Sequence, residues 1–214
     1  MKFSAIITAG GTSSRYGNTN KLLEKINDKE VIKYTVEAFL NCGIDEIIIS
    51  ANKLIIPELN SILDNVKIIE GGASRQESVF KGLEVANGDY VLIHDGARPV
   101  ISPEIIKNTM STVIDKKAVS VMTKTIDTIK EVDSDGKIIR TIDRSKLYNT
   151  QTPQAFELNL IKDVHEKLKE QNYTDDAGMV EALGYDVYMV EGDYKNIKVT
   201  TKSDLTVVSE YLKN

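Results

Sequence analysis

The residues best suited to chemistry open the chain, in Ser4-Ala-Ile-Ile-Thr-Ala-Gly-Gly-Thr-Ser-Ser-Arg-Tyr-Gly, continuing to Asn20-Lys21-Leu22-Leu23. An apolar run stops at Ala9-Gly10-Gly11, a short polar loop carries Arg15, and Lys21 follows six residues later. A buried strand that ends in a glycine turn leaves backbone N–H groups aimed at one point with no side chain in the way. Such a cradle suits a phosphate, and two cations from the same loop supply the countercharge. The loop is neither a P-loop, since Gly-x-x-x-x-Gly-Lys-Ser/Thr is absent, nor the dinucleotide Gly-x-Gly-x-x-Gly, whose register the glycines miss. A turn that merely needs glycines is the plainer explanation of the pair; Arg15 and Lys21 move the reading toward phosphate.

Two further loops carry reactive types. Gly71-Gly72-Ala73-Ser74-Arg75-Gln76-Glu77-Ser78 follows an apolar run, and its glycines allow backbone to approach a flat ligand whose polar edge Ser78 and peptide groups could read. It is equally a helix start, with Ser74 and Glu77 spaced as a capping box. His94-Asp95-Gly96-Ala97-Arg98-Pro99 ends another apolar run. There a carboxylate can meet ribose hydroxyls or a divalent ion, and an arginine can hold a phosphate; a plain Asp95–Arg98 ion pair is the alternative. Lys198, within Asn196-Ile-Lys-Val-Thr200, is either a ligand-facing cation or a solvated strand lysine.

These loops need elements to hold them. Strand candidates are Phe3–Thr8, Glu46–Ser50, Val66–Glu70, Tyr90–His94 and Ala118–Met122, near-continuous apolar runs of the kind covered on both faces of a parallel sheet. Between them Ile32, Val36, Phe39 and Leu40 share a helical stripe, as do Leu54, Leu59, Ile62 and Leu63 more loosely. Ser102-Pro103 places an N-cap before a first-turn proline. Alternating β and α segments predict an α/β fold, Rossmann-like and three-layered, with a mostly parallel central sheet and right-handed crossovers. The loops after residues 9, 70 and 94 should then converge beyond the carboxyl ends of the strands. The rhythm breaks after Met122: Thr125–Val132, Asp133-Ser-Asp-Gly136 and Lys137–Ile142 read as a protruding hairpin, an arm of about 123–148 that needs something to pack on, such as a second subunit. A helix follows with Leu158, Ile161, His165 and Leu168 on one face, His165 reading as a partly buried helix residue. Thr174-Asp-Asp176, a short helix to Leu183, the strand Asp186–Val190 and a final helix from Ser203 with Leu205, Val208 and Leu212 complete the chain. One domain of 1–214 with the arm inserted is expected.

Composition limits the partners. The chain has 214 residues, 41% hydrophobic and 28% charged, with a net charge of -5 and no basic block. A packed core is expected, and neither nucleic acid nor a membrane is an expected partner. The single cysteine, Cys42, precludes an internal disulfide and reads as packed rather than reactive. The opening residues read as a strand rather than an export signal, and no apolar run could span a bilayer, so a soluble, cytoplasmic protein is expected.

In their order, the motifs resemble those of the 2-C-methyl-D-erythritol 4-phosphate cytidylyltransferase family: Ala-Gly-Gly-Thr-x-x-Arg with its later Lys, Gly-Gly-x-x-Arg-x-x-Ser-Val, His-Asp-x-Ala-Arg-Pro, Asp143-Arg144, Gln151-Thr-Pro-Gln154, Thr174-Asp-Asp-Ala177 and Asn-Ile-Lys-Val-Thr. The resemblance covers essentially the whole chain. It implies that Arg15, Lys21 and Lys198 bind and stabilise a CTP triphosphate. The backbone at Ala9, Gly10, Gly11, Gly72 and Ala73, with Arg75 and Ser78, would hold the nucleotide. Asp95 would lie at the ribose and at Mg²⁺ or another divalent ion, itself mainly carried by the CTP phosphates. Arg98, Thr128, Arg144, Thr152 and Thr174 would surround the polyol phosphate. A homodimer is implied in which each arm delivers Thr128 and Arg144 to its partner; a hairpin folded back on its own subunit is the alternative.

Three positions depart from the family pattern. Ser13 stands for a frequent glycine, Asn20 for the proline before the lysine, and Ala73 for a common acidic residue, so a base contact there must come from its backbone. Rival readings are a cytidylyltransferase for ribitol or glycerol phosphate, a nicotinamide-dependent reductase, and a nucleotide binder without catalysis. The reductase calls for an acid at the end of the second strand, where Ser50-Ala-Asn stands instead.

Overall fold

The computed structural model describes residues 1–11 and 20–213. Strand β1 (Phe3–Ala9) is followed by a two-residue-strand hairpin, β2 (Lys25–Ile26) and β3 (Lys29–Glu30), closed by Asn27 and Asp28 with positive φ. Then come α1 (Val31–Leu40), β4 (Glu46–Ala51), α2 (Ile56–Ile62), β5 (Lys67–Glu70), α3 (Arg75–Val85), β6 (Tyr90–Asp95), α4 (Pro103–Lys116) and β7 (Ala118–Lys124). Strands β8 (Ile129–Val132) and β9 (Ile138–Ile142) form the hairpin, and β10 (Tyr148–Glu157), α5 (Leu158–Lys167), α6 (Asp176–Ala182), β11 (Tyr188–Glu191) and α7 (Lys202–Tyr211) follow.

The main sheet has the order β11-β7-β10-β6-β1-β4-β5. All its pairs are parallel except those of β10, which runs antiparallel to β6 and β7. From β1 the chain winds outward through β4 and β5, then returns to the other side of β1 as β6. This reversal opens a crevice at the carboxyl ends of β1 and β6.

The strands are apolar throughout because both faces are covered. Ala5, Ile7, Ile47, Ile49 and Leu92 point into a core shared with Ile32, Val36 and Phe39 of α1, Ile106 of α4 and Val208 of α7. Their neighbours Ile6, Ile48, Val91 and Ile93 point the other way, toward Val79 and Leu83 of α3, Ile161 of α5 and Val180 of α6. Each fully buried Ile or Leu contributes on the order of 2 kcal/mol. The three-layer arrangement read from the sequence is the one observed.

Several details differ. Leu54 does not join the α2 stripe: it lies 85% exposed in a single 3₁₀ turn capped by Asn52, and Ile55 is buried instead. The Ser74–Glu77 capping box is half formed. Ser74 accepts the Glu77 N–H, but the Glu77 carboxylate accepts from Ala73 N–H rather than from Ser74. The last strand begins at Tyr188, not Asp186. His165 is fully rather than partly buried. Strand β10 was not anticipated, because its centre is the polar Gln151-Thr-Pro-Gln154. Proline is tolerated there since pairing with β7 shifts register between Thr150 and Gln154, the kind of irregularity at which a strand proline sits.

Among the described residues, strands β8 and β9 pair only with each other. Asp133 organises their turn by accepting the N–H groups of Asp135 and Lys137, and Gly136 takes a positive φ. Ile126, Val132, Ile138 and Ile139 are all more than half exposed on this arm.

Candidate active site

The three loops foreseen to converge do so, around a cavity of ≈ 380 Å³. Ala9, Gly10 and Gly11 line it from the end of β1, with Lys21 beyond them. Gly72, Ala73, Arg75 and Ser78 come from the start of α3, Asp95 from the end of β6, and Lys198 from the segment after β11.

Ser78 organises the second loop from behind. It is 2% exposed; its Oγ accepts the Gly72 N–H at 3.0 Å and donates to the Ser74 carbonyl at 2.8 Å. Gly71 has no room for a side chain, because a Cβ there would lie 2.9 Å from that same Oγ. Ala73 meets solvent with its N–H already tied to Glu77 at 2.8 Å, so its carbonyl is what it offers a ligand.

Asp95 is nearly buried and ringed by cations. Its Oδ2 lies 3.0 Å from Lys198 Nζ and 3.2 Å from Arg98 Nε, and its Oδ1 lies 3.9 Å from Arg75 Nε. Burial alone would raise its pKa; the charges of Lys198, then Arg98, then Arg75 outweigh burial and hold it well below the usual carboxylate range. Arg98 is further fixed by donating from Nη1 to the Asn196 carbonyl at 2.8 Å. Lys198 is half exposed in an irregular segment, anchored where Val199 N–H meets the Ala97 carbonyl, so it is not a strand lysine.

The donor set suits a metal brought by a ligand rather than one caged by protein. Among the described residues no cluster of three or more His, Cys, Asp or Glu side chains could hold an ion. Asp95 offers one carboxylate whose Oδ1 is only loosely paired, which matches the habit of Mg²⁺ to take one or two carboxylates together with substrate phosphates.

A second cavity, ≈ 340 Å³, lies beside the first and is lined by Arg98, Thr150, Gln151, Thr152, Gln154 and Thr174. Arg75, Asp95 and Lys198 line both cavities. Gln151 and Thr152 reach this wall from the stretch of β10 where its register with β7 shifts. Buried His94, packed on Phe39, stiffens it. Burial lowers its pKa to about 3, so it is neutral, and its Nδ1 lies 3.0 Å from Thr152 Oγ1.

A family profile described as 2-C-methyl-D-erythritol 4-phosphate cytidylyltransferase matches residues 3–214. The chain belongs to this family. It is 42% identical to the 2-C-methyl-D-erythritol 4-phosphate cytidylyltransferase of Clostridioides difficile (strain 630), over 98% of this chain and 93% of that protein. Among solved structures it is similar to 4-diphosphocytidyl-2C-methyl-D-erythritol synthase from Anaerococcus prevotii, with a TM-score of 0.88 and 33% identity over 100% of this chain and 99% of that one. The 2-C-methyl-D-erythritol 4-phosphate cytidylyltransferase of Thermus thermophilus gives a TM-score of 0.87 at 27% identity, covering both chains fully.

Within this cytidylyltransferase fold, the residues expected to act are divided. Those from the three loops, with Arg98, Thr152 and Thr174, come together around the two cavities. Thr128 and Arg144 do not: both are exposed on the arm, where Arg144 donates to the Ile126 carbonyl, and neither lines either of these two cavities. Arg15 and Ser13 lie outside the described residues. Sequence reasoning overlooked Gln151, Gln154 and Asp176. Gln154 Oε1 accepts the Asp176 and Ala177 N–H groups, both at 3.0 Å, and bolts α6 to β10. The motif positions of both residues were visible, but their buried partners were not.

Proposed function

We propose that this chain transfers the cytidylyl group of CTP to 2-C-methyl-D-erythritol 4-phosphate, releasing pyrophosphate, as a step in non-mevalonate isoprenoid precursor synthesis. The observation that carries this reading is the sharing of Arg75, Asp95 and Lys198 by two adjoining cavities. A nucleotide in the first and a sugar phosphate in the second would meet across one set of charges.

In the reaction, an oxygen of the polyol phosphate bonds to the α-phosphorus of CTP. The bond from that phosphorus to the oxygen bridging to the β-phosphorus breaks, and its electron pair leaves on pyrophosphate. The attacking oxygen is already ionised at neutral pH, so no general base is required. Catalysis therefore rests on holding two polyanions in line and on cations placed where charge develops. Lys21, Lys198 and Arg15 are assigned to the triphosphate. The backbone of residues 8–11 and 71–73 is assigned to the cytosine edge, and Asp95 to the ribose. A divalent ion such as Mg²⁺, held by Asp95 and the CTP phosphates, would neutralise part of the triphosphate charge.

We assign the polyol phosphate to Arg98, Thr174 and the wall that Thr152 supports, with Thr128 and Arg144 supplied by the arm of a second copy in a homodimer. The exposed isoleucines of the arm, and the absence of these two residues from the lining of the two cavities, support that arrangement. The chain is read as one nucleotidyltransferase domain with the arm inserted, acting in the cytoplasm. Incubation with CTP, Mg²⁺ and a panel of polyol phosphates tests the reading. Pyrophosphate should appear fastest with methylerythritol phosphate, and equal or faster release with ribitol 5-phosphate or glycerol phosphate would reassign the substrate.

A further inference from the structure

Arg75 is placed between two carboxylates that compete for it. Its Nε is 3.9 Å from Asp95 Oδ1 on the cavity side, while its Nη2 is 2.8 Å from Asp176 Oδ2 behind, an ion pair off the line of a hydrogen bond. Asp176 is completely buried, so its charge must be balanced by partners inside the protein. One is Arg75; the other is His165, whose Nε2 lies 3.1 Å from Asp176 Oδ1. A carboxylate only accepts, so His165 donates from Nε2. His165 is itself 1% exposed and stacked 6.2 Å from Phe80 of α3, which fixes the ring plane. Gln154 clamps the Asp176 backbone, and its Nε2 donates to Asp175 at 2.7 Å. The row His165–Asp176–Arg75 therefore runs from the buried face of α5 to the junction of the two cavities.

We infer that Asp176, oriented by His165, is a positioning residue that draws the Arg75 guanidinium back from Asp95 and holds it at the junction where the two substrates meet. Without that rear anchor, Arg75 would close on Asp95, the nearest remaining carboxylate. The cation would then be lost to the incoming phosphates, and the carboxylate to the ribose and the divalent ion assigned to it. The inference rests on the cytidylyl-transfer reading and adds two residues that touch neither substrate.

Steady-state pyrophosphate release separates the two claims. Asp176→Asn keeps the shape and removes the charge; kcat should fall on the order of 10-fold, with the KM for CTP changing roughly two-fold or less. In an Arg75→Ala background the same substitution should cost little more, roughly two-fold, because the residue it positions is gone. His165→Leu should resemble Asp176→Asn, while His165→Gln, which can still donate to Oδ1, should recover most of the lost rate. Urea midpoints of all variants distinguish unfolding from misplacement. If Asp176→Asn does not fold, the cycle of His165→Leu with Arg75→Ala answers the same question. Losses that multiply independently in either cycle, or an unchanged kcat in folded Asp176→Asn, would overturn the inference. A wild-type protein that releases no pyrophosphate would instead overturn the proposed reaction.

Discussion

Thr152 Oγ1 lies 3.0 Å from His94 Nδ1 and accepts the Asp95 N–H at the same distance. With His94 neutral and its Nε2 facing the Arg98 carbonyl at 3.4 Å, Nδ1 is the acceptor, so the Thr152 hydroxyl hydrogen points at the ring. Thr152 thus has no hydrogen left for a phosphate in this arrangement. It holds the Asp95 backbone in place, which leaves the proposed contacts to a sugar phosphate to Arg98 and Thr174, with Thr128 and Arg144 of the second copy's arm.

Neutral His94 makes stability depend on pH. Its folded pKa, about 3, is below the ordinary 6.5 because burial disfavours the cation. Between those values the unfolded chain takes up a proton that the folded chain refuses. Stability should therefore fall as pH drops from 6.5 toward 3, by on the order of 1 kcal/mol per pH unit from this residue. Urea unfolding of His94→Gln should show a shallower slope over that window than wild type; identical slopes would mean that His94 titrates normally.

How much of this could be read beforehand follows from where each signal lies. β1, β4 and β6 were legible because a strand buried on both faces must be apolar at every position, and their terminal loops inherit the site from the topology. β10 was not, since its buried centre is polar and contains Pro153; its partners explain why these side chains are inside, Asp193 and Asn196 for Gln151, His94 and Asp95 for Thr152, and Ser120 for Gln154. Leu54 misled the helical stripe because Asn52 caps a 3₁₀ turn and α2 starts later, at Ile56. The pairing of His165 with Asp176 joins two separate helices, and no local spacing announces it.

Cations at the leaving group matter most when charge moves. Lys21→Ala and Arg15→Ala should each lower kcat on the order of 10²-fold, with smaller effects on the KM for CTP. A steady kcat with a raised KM would make them ground-state anchors.

The loop of Gly72 should set nucleotide affinity. A Cβ at Gly72 would lie 2.3–2.4 Å from the Glu77 side chain, so Gly72→Val must displace Glu77 and release the Ala73 N–H it holds. Weaker CTP binding by calorimetry is expected, with circular dichroism unchanged. Unaltered affinity would remove this loop from the base site.

The arm separates action within one chain from action across two. Arg15→Ala damages the nucleotide loop and Arg144→Ala the arm; in the proposed dimer, co-expressing them would yield heterodimers. If the arms cross, one site collects both lesions and the other is intact, so activity returns. Verified heterodimers that stay inactive would place Arg144 in its own chain's site.

The most direct test of cytidylyl transfer is the identity of the product. After incubation with CTP, Mg²⁺ and 2-C-methyl-D-erythritol 4-phosphate, ³¹P NMR should show two mutually coupled phosphorus signals of a new diphosphate diester, rising in step with pyrophosphate. CMP with pyrophosphate and unchanged polyol phosphate would mean that water, not the sugar phosphate, is the acceptor. That result would contradict the joining of the two cavities at Arg75, Asp95 and Lys198 as a transfer site.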